Sequence, residues 1–304
     1  MADRKSKLHR KCGAMSNHYY LLEQHPEFRR AQVRLEHSAT LRMRQGFRAP
    51  AKPYVINVVV HVLHASAGQK LSMAQVKSQV DALNRDFRAR NKDRSRVPEV
   101  WKGLATDSMI EFRLAARDPS GQATNGVTYT KVTPKSWGQN DAMKDPKRGG
   151  VPPWPADRYL NVWACELKDG LLGYAQFPGG PKATDGVVIT TPAFGVGGSA
   201  TPPFDLGRTC VHEVGHYLNL RHIWGDTEDC SGTDSVADTP NAGMPNYGRP
   251  KFPKISCNNG PNGDMFMNYM DYVDDDTMFM FTTGQVARMY ATLDGPRRRL
   301  WAAR

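Results

Sequence analysis

His212-Glu213-Val214-Gly215-His216-Tyr217-Leu218-Asn219-Leu220-Arg221-His222 is the stretch from which the rest of the chain is read. His212 and His216 are four residues apart, so on a helix both project from one face. Two neutral imidazoles at that spacing can grip one divalent metal. Glu213, one step round the helix, can reach a water on that metal without ligating it. His222 lies six residues beyond His216, off the helical repeat. To bring it in, the helix must stop and the chain must turn back. Asn219 sits where that stop is needed, and after Gly, Asn best tolerates the left-handed backbone that ends a helix. Three His ligands leave a fourth zinc position open, the pattern of a catalytic site rather than a structural one.

The chain has 304 residues, 39% of them hydrophobic, and a mean hydropathy of −0.58. It has no run of about 18 apolar residues, so no membrane-spanning helix is expected. The first residues, Met-Ala-Asp-Arg-Lys-Ser-Lys, are basic with no apolar stretch behind them, and do not read as a secretory signal. A net charge of +11 raises nucleic-acid binding. The charge is uneven, however. Residues 1–50 hold 11 Lys/Arg against 4 Asp/Glu, and the remaining 254 hold 30 against 26. No nucleic-acid motif accompanies it, so no nucleic-acid partner is expected. Five cysteines leave at least one unpaired within a monomer, the expected state.

Residues 1–50 read as a separate, polar, Arg-rich, helical segment interrupted by Pro26, with no core of its own. Cys12, flanked by Arg10 and Lys11, is expected to be thiolate-prone. It could fill the open zinc position or be a stray thiol on a tail, and the residues alone leave both open. Residues 54–64 are rich in β-branched side chains and read as a buried strand, with His61 and His64 as strand-packing polar residues. Ser72 to Gln75 is a capping box, and Met73, Val76, Val80, Leu83 and Phe87 mark an amphipathic helix behind it. Residues 110–114, 126–130, 159–167 and 185–189 read as strands, 171–177 as an edge strand, and 133–157 as a loop anchored by Trp137 and Trp154.

Past His222, residues 225–264 lack periodicity, and so long a loop needs something to fix it. Cys230 and Cys257 can close it covalently, which would suit an oxidising compartment. Asp226, Glu228, Asp234 and Thr239 could supply oxygens to calcium, although the residues alone favour a solvated acidic loop. Thr282 to Gln285 is another capping box and opens a terminal helix carrying Val286, Met289, Tyr290 and Leu293.

The three-His signature, with Gly in place of Asn219, is the metzincin pattern, and Met270 in Asn268-Tyr-Met-Asp-Tyr272 falls where its Met-turn belongs. The sequence around both, with Asp238-Thr-Pro240 and Phe281-Thr-Thr-Gly-Gln285, resembles the pappalysin family, and within it the cytophagalysin/ulilysin-like enzymes. The resemblance spans about residues 55–295. It implies an α+β metzincin-type zincin in which residues 1–50 are a pro-segment and 51–304 the catalytic domain. An upper part, about 51–218, would hold a twisted mixed sheet with a backing helix and the active-site helix. A lower irregular part, about 219–304, would hold the Met-turn and a C-terminal helix.

The resemblance also implies roles. His212, His216 and His222 would bind one zinc, Glu213 would be general base and acid, Tyr272 would stabilise the oxyanion, and Met270 would floor the site. Gly173, Tyr174 and Ala175 would align substrate by strand addition. Cys230–Cys257 would be a disulfide. Calcium would bind in the lower loop through Glu228, Asp234 and Thr239. Cys12 would ligate zinc in a latent form, making the segment an intramolecular inhibitor. Asp276 would pair with an Arg or Lys that follows the scissile bond. The expected function is therefore a secreted, latent zinc endopeptidase in which Glu213 activates a zinc-bound water against peptide bonds of protein or peptide substrates. A zinc-bound, non-catalytic binding module is the alternative. Self-cleavage is expected at 41–51, beside Arg42, Arg44 and Arg48, freed by shedding the segment.

Overall fold

The computed structural model describes residues 9–302. Its helices are α1 (Ala14–Gln24), α2 (Pro26–Gln45), α3 (Met73–Phe87), α4 (Glu99–Lys102), α5 (Arg208–Tyr217), α6 (Thr283–Asp294) and α7 (Arg299–Ala302). Its strands are β1 (Tyr54–His64), β2 (Ile110–Leu114), β3 (Val127–Lys131), β4 (Leu160–Cys165), β5 (Gly173–Ala175), β6 (Val187–Thr190), β7 (Tyr247–Gly248) and β8 (Tyr272–Val273).

The run of Val and Ile in residues 54–64 becomes β1, the axis of the sheet. One edge of β1 pairs in parallel with β2 through residues 54–58 and with β3 through residues 60–64. Its other edge pairs in parallel with β4, which pairs in parallel with β6. β5 closes the sheet antiparallel to β6, so the sheet is mixed and β5 is its outer strand.

Alternation along the strands sorts the side chains into two layers. Val58, Val60, Val62 and Val162 join the core with Val76, Leu83 and Phe87 of α3 and Val211 and Val214 of α5. On the other face Leu63, Trp163, Tyr174 and Val188 pack with Trp137 and Met143 of the 133–157 loop. Trp163 Nε1 donates to Val151 O at 2.9 Å, and Trp154 N donates to Asn161 Oδ1 at 2.7 Å, so both faces are covered. His61 is consumed structurally between Thr128 Oγ1 at 2.9 Å and Asn161 Oδ1 at 3.0 Å.

The N-terminal segment packs on the domain. Pro26 begins α2, where its missing N–H costs nothing. Ala14, Leu21 and Phe28 join the main core cluster. Of residues 41–51, where cleavage is expected, 41–45 belong to α2; Arg42 lies 3.5 Å from Asp294, whereas Arg44 and Arg48 are exposed. Only 46–51 lie outside the helix, after Gly46 at φ 72°.

Candidate active site

α5 carries His212, Glu213 and His216, all buried. It ends in a paired turn: Leu220 N donates to Gly215 O and Asn219 N to His216 O, both at 2.9 Å. Asn219 takes φ 76°, the left-handed conformation expected of it. The turn sends the chain back and delivers His222.

All three imidazoles are oriented from behind. His212 Nδ1 donates to Tyr269 O at 2.7 Å, His216 Nδ1 to Leu220 O at 2.8 Å and His222 Nδ1 to Asp226 Oδ1 at 2.5 Å. With the proton on Nδ1, each Nε2 offers a lone pair. These lone pairs converge: His216 Nε2 is 3.1 Å from His212 Nε2 and 3.0 Å from His222 Nε2. Burial holds the His212 and His216 pKa values well below the ordinary imidazole range, so both rings stay neutral. Three lone pairs facing one another repel unless a cation sits among them, so the donor set fits zinc.

Cys12 completes the set. Its Sγ and the three Nε2 atoms lie within 4.8 Å of one another, the one such grouping of His, Cys and acidic side chains among the described residues. Leu172 N donates to Lys11 O and Gly13 N to Gly173 O, both at 2.9 Å, so residues 11–13 lie along β5 as an added parallel strand. Cys12 Sγ is 3.5 Å from Glu213 Oε2. Burial pushes Glu213 up to about 8, against the hydrogen bond from Cys12 and the charge of Arg10.

The thiolate expectation is corrected. Burial, then the Glu213 charge, raises the Cys12 pKa, because its flanking cations do not face it. Lys11 Nζ reaches Asp169 O at 3.3 Å, and Arg10 turns into a separate pocket. There Arg10 Nη2 donates to Asp275 Oδ1 at 2.7 Å, Nη1 to Thr209 Oγ1 at 3.0 Å and Nε to Val273 O at 3.3 Å. A zinc ion beside the sulfur would invert this balance, since its charge favours thiolate.

Asp276, expected to meet the cation after the scissile bond, is partly exposed and pairs with Arg249 at 2.7 Å, while its neighbour Asp275 is the buried carboxylate. Leu206 N at 2.8 Å and Arg208 N at 3.2 Å donate to Asp275 Oδ2, leaving Oδ1 to face the pocket. Tyr174 offers the cleft only its backbone, since its hydroxyl donates to Asp141 Oδ1 at 2.8 Å on the far side of the sheet. Gly173 is small for cause: a Cβ there would press on Val188 O and Glu213.

Below the site, Met270 Sδ lies against Gly215, and a Cβ at 215 would overlap it. Asn268 accepts from Met270 N at 2.9 Å and exchanges two side-chain hydrogen bonds with Gln285, at 2.8 and 3.0 Å. The capping box of α6 therefore also fixes the turn carrying Met270, a link the motif alone does not reveal. Tyr272 stacks edge-on to His222 with ring centroids 4.9 Å apart, and its hydroxyl is 3.5 Å from Cys12 O.

In the lower loop Cys230 and Cys257 form a disulfide. The four residues considered for calcium form no common cage. Asp226 orients His222, Glu228 is exposed, and Asp234 accepts from Thr239 Oγ1 at 2.7 Å. The roles that sequence reasoning missed are those of Asp226 behind His222, of Asp275 and of its partner Arg10.

Comparison with known proteins agrees with this geometry. Residues 151–294 match the family model described as pregnancy-associated plasma protein-A, a group of peptidases. An extracellular metalloprotease of Pyricularia oryzae is 32% identical over 92% of this chain and 87% of its own. One from Colletotrichum graminicola is 35% identical over 63% of this chain and 70% of its own. Mature mirolysin of Tannerella forsythia, solved with a cleaved peptide, is 49% identical with a TM-score of 0.81, over 83% of this chain and 97% of that one. A promirolysin mutant from the same organism is 44% identical with a TM-score of 0.89, over 96% and 97%. The fold is thus that of an α+β metzincin, and the chain belongs to the pappalysin family of zinc metallopeptidases.

Proposed function

We propose that the chain is a secreted endopeptidase, made latent by residues 1–50, that cuts peptide bonds followed by Arg or Lys. The observation that carries this is Cys12 Sγ beside the three His Nε2 atoms, with Arg10 seated on Asp275. The segment covers the three imidazole nitrogens, the edge strand and the Asp275 pocket at once. The likeness to promirolysin reaches 96% of this chain, against 83% for the mature form. Relatives named extracellular metalloproteases and the Cys230–Cys257 disulfide support an oxidising destination.

His212, His216 and His222 would hold the zinc, which would supply a Lewis acid for the peptide carbonyl and for water. Glu213 takes a proton from the attacking water and returns it to the leaving amine. The Tyr272 hydroxyl donates to the oxyanion of the tetrahedral intermediate. Leu172 N and Gly173 O, now occupied by residues 11–13, hold substrate backbone by strand addition. Asp275 takes a guanidinium after the scissile bond, as it takes Arg10.

The test is a peptide library presented to processed protein, with chelator and zinc re-addition as controls. Chelator-sensitive cleavage before Arg and Lys is expected. Cleavage indifferent to the following residue would remove the pocket assignment, and no cleavage at all would remove the peptidase.

A further inference from the structure

Departure of the segment leaves one buried charge of the domain without its partner. Arg288 of α6 is fully buried; its Nε donates to Asn219 O at 2.6 Å and its Nη2 to Glu36 Oε1 at 2.5 Å. Arg288 Nη1 has no hydrogen-bond partner, and neither has the buried Oδ1 of Asn219. Arg221 Nη2 and Asn219 Nδ2 each lie 3.5 Å from the same Glu36 oxygen. Among the described residues Glu36 is the sole carboxylate paired with either arginine. The vacated pocket presents two guanidinium groups and an amide, a donor set made for carboxylate.

The pocket also lies where a substrate can reach it. Gln32, one turn before Glu36 on α2, donates to Pro178 O at 2.6 Å, just past the end of β5. Asn17 Nδ2 donates to Ala175 O at 3.4 Å along the same line. Arg10 and Asp275 lie at the other end of the cleft, beyond Leu172. A polypeptide with its Arg on Asp275 would therefore send its upstream residues over Ala175 and Pro178 towards Arg288.

We propose that the Glu36 pocket becomes, in the processed enzyme, a subsite for an acidic side chain of the substrate, several residues upstream of the bond that is cut. This rests on the peptidase reading and deepens it: the substrate class is a polypeptide with a carboxylate upstream and a cation downstream of the cleaved bond. In the latent form Glu36 is the intramolecular stand-in for that carboxylate.

The test uses processed enzyme and fluorogenic peptides that share one scissile bond, with Glu or Gln walked through the upstream positions. At one position the Glu peptide should show a KM roughly five- to tenfold lower at similar kcat, the scale of a partly exposed charge-assisted contact. The gap should narrow with added salt and close in Arg221→Gln and Arg288→Gln. Equal KM at every position overturns the proposal, as does a gap that survives both substitutions. Should Arg288→Gln fail to fold, Arg221→Gln alone decides. Cleavage of neither peptide would remove the peptidase reading and the subsite with it, whereas cleavage of both with equal KM removes the subsite alone.

Discussion

Residues 10–13 and helix α2 belong to one segment and hold the domain by opposite means. Residues 10–13 meet the cleft through polar atoms: two backbone hydrogen bonds beside the edge strand, the Arg10 guanidinium shared among Asp275, Thr209 and Val273, and a thiol at the metal ligands. α2 meets it through buried Phe28, Leu35 and Ala39 and through Glu36. Full burial of a Phe or Leu contributes about 1.5–3 kcal/mol. The helix therefore supplies adhesion without touching the reacting atoms, and the extended residues supply blockade with little apolar burial. Under the proposed latency both are needed, because a blocking peptide that is not retained leaves, and a retained helix alone blocks nothing.

Glu213→Ala breaks the comparison from the domain side and should have the largest effect. Turnover should fall by roughly 10²–10⁴, the usual general-base contribution. Zinc content should be unchanged, and the protein should remain full-length because it can no longer cut itself. Residual turnover above about 1% of wild type would be incompatible with the role given to Glu213.

Asp275→Asn tests the pocket that substrate and segment share. Asn keeps an acceptor for Leu206 N and Arg208 N, so the fold should hold. Preference for Arg after the scissile bond should drop roughly tenfold or more, through KM. Asp276→Asn, at the exposed carboxylate beside Arg249, should leave that preference intact. The reverse ranking would return the pocket to Asp276.

Much of this was legible in the sequence, and what was not has a common cause. β1, α3 and both capping boxes follow from local period and local hydrogen bonds. The metal ligands follow from a helical spacing plus one left-handed residue. Which of Asp274, Asp275 and Asp276 turns inward is instead decided by Leu206 and Arg208, some seventy positions earlier in the chain. The environment of Cys12 is not legible from its flanks, because an extended chain sends Arg10 and Lys11 to separate partners. That residues 1–50 are helical was legible, but that α2 runs on through Arg42 and Arg44 to Gln45 depends on its packing on α6.

Cys12→Ser separates blockade from adhesion. Serine is a poor zinc ligand, so the metal's open position should be freed while α2 still holds the segment. Full-length protein should process with a shorter lag and remain nearly inactive at first. Initial activity and lag both equal to wild type would mean that the thiol contributes nothing and the segment blocks by bulk alone.

Glu36→Gln is the complement, removing adhesion and leaving the thiol, and its effect should be the smallest. Gln keeps the length and one acceptor, so Arg288 loses a charge partner but not every contact. Burial raises the Glu36 pKa, but the charge and hydrogen bond of Arg288, with Arg221, outweigh it and hold the carboxyl below its ordinary range. A carboxylate depressed in the bound state stabilises that state fully above its free pKa, about 4.3. The contribution is lost as pH falls through the depressed value. After cleavage within 46–51, the wild-type segment should therefore be released faster already as pH falls below about 6.5, where freed His18 charges and buried His18 does not, and Glu36 should add its own loss below about 4. Glu36→Gln should release its segment a few-fold faster at pH 7, with the two proteins converging at the acid end. His18, buried against Phe28 and Phe177, is held down to about 4 by its burial and will also charge there. It does so in both proteins, shifted between them only by the Glu36 charge that raises it, so the ratio of their release rates reports Glu36. Gel filtration of the cleaved segment against pH measures that ratio without using activity. A ratio that stays constant from pH 7 to the acid end would mean that Glu36 holds the segment by shape and not by charge.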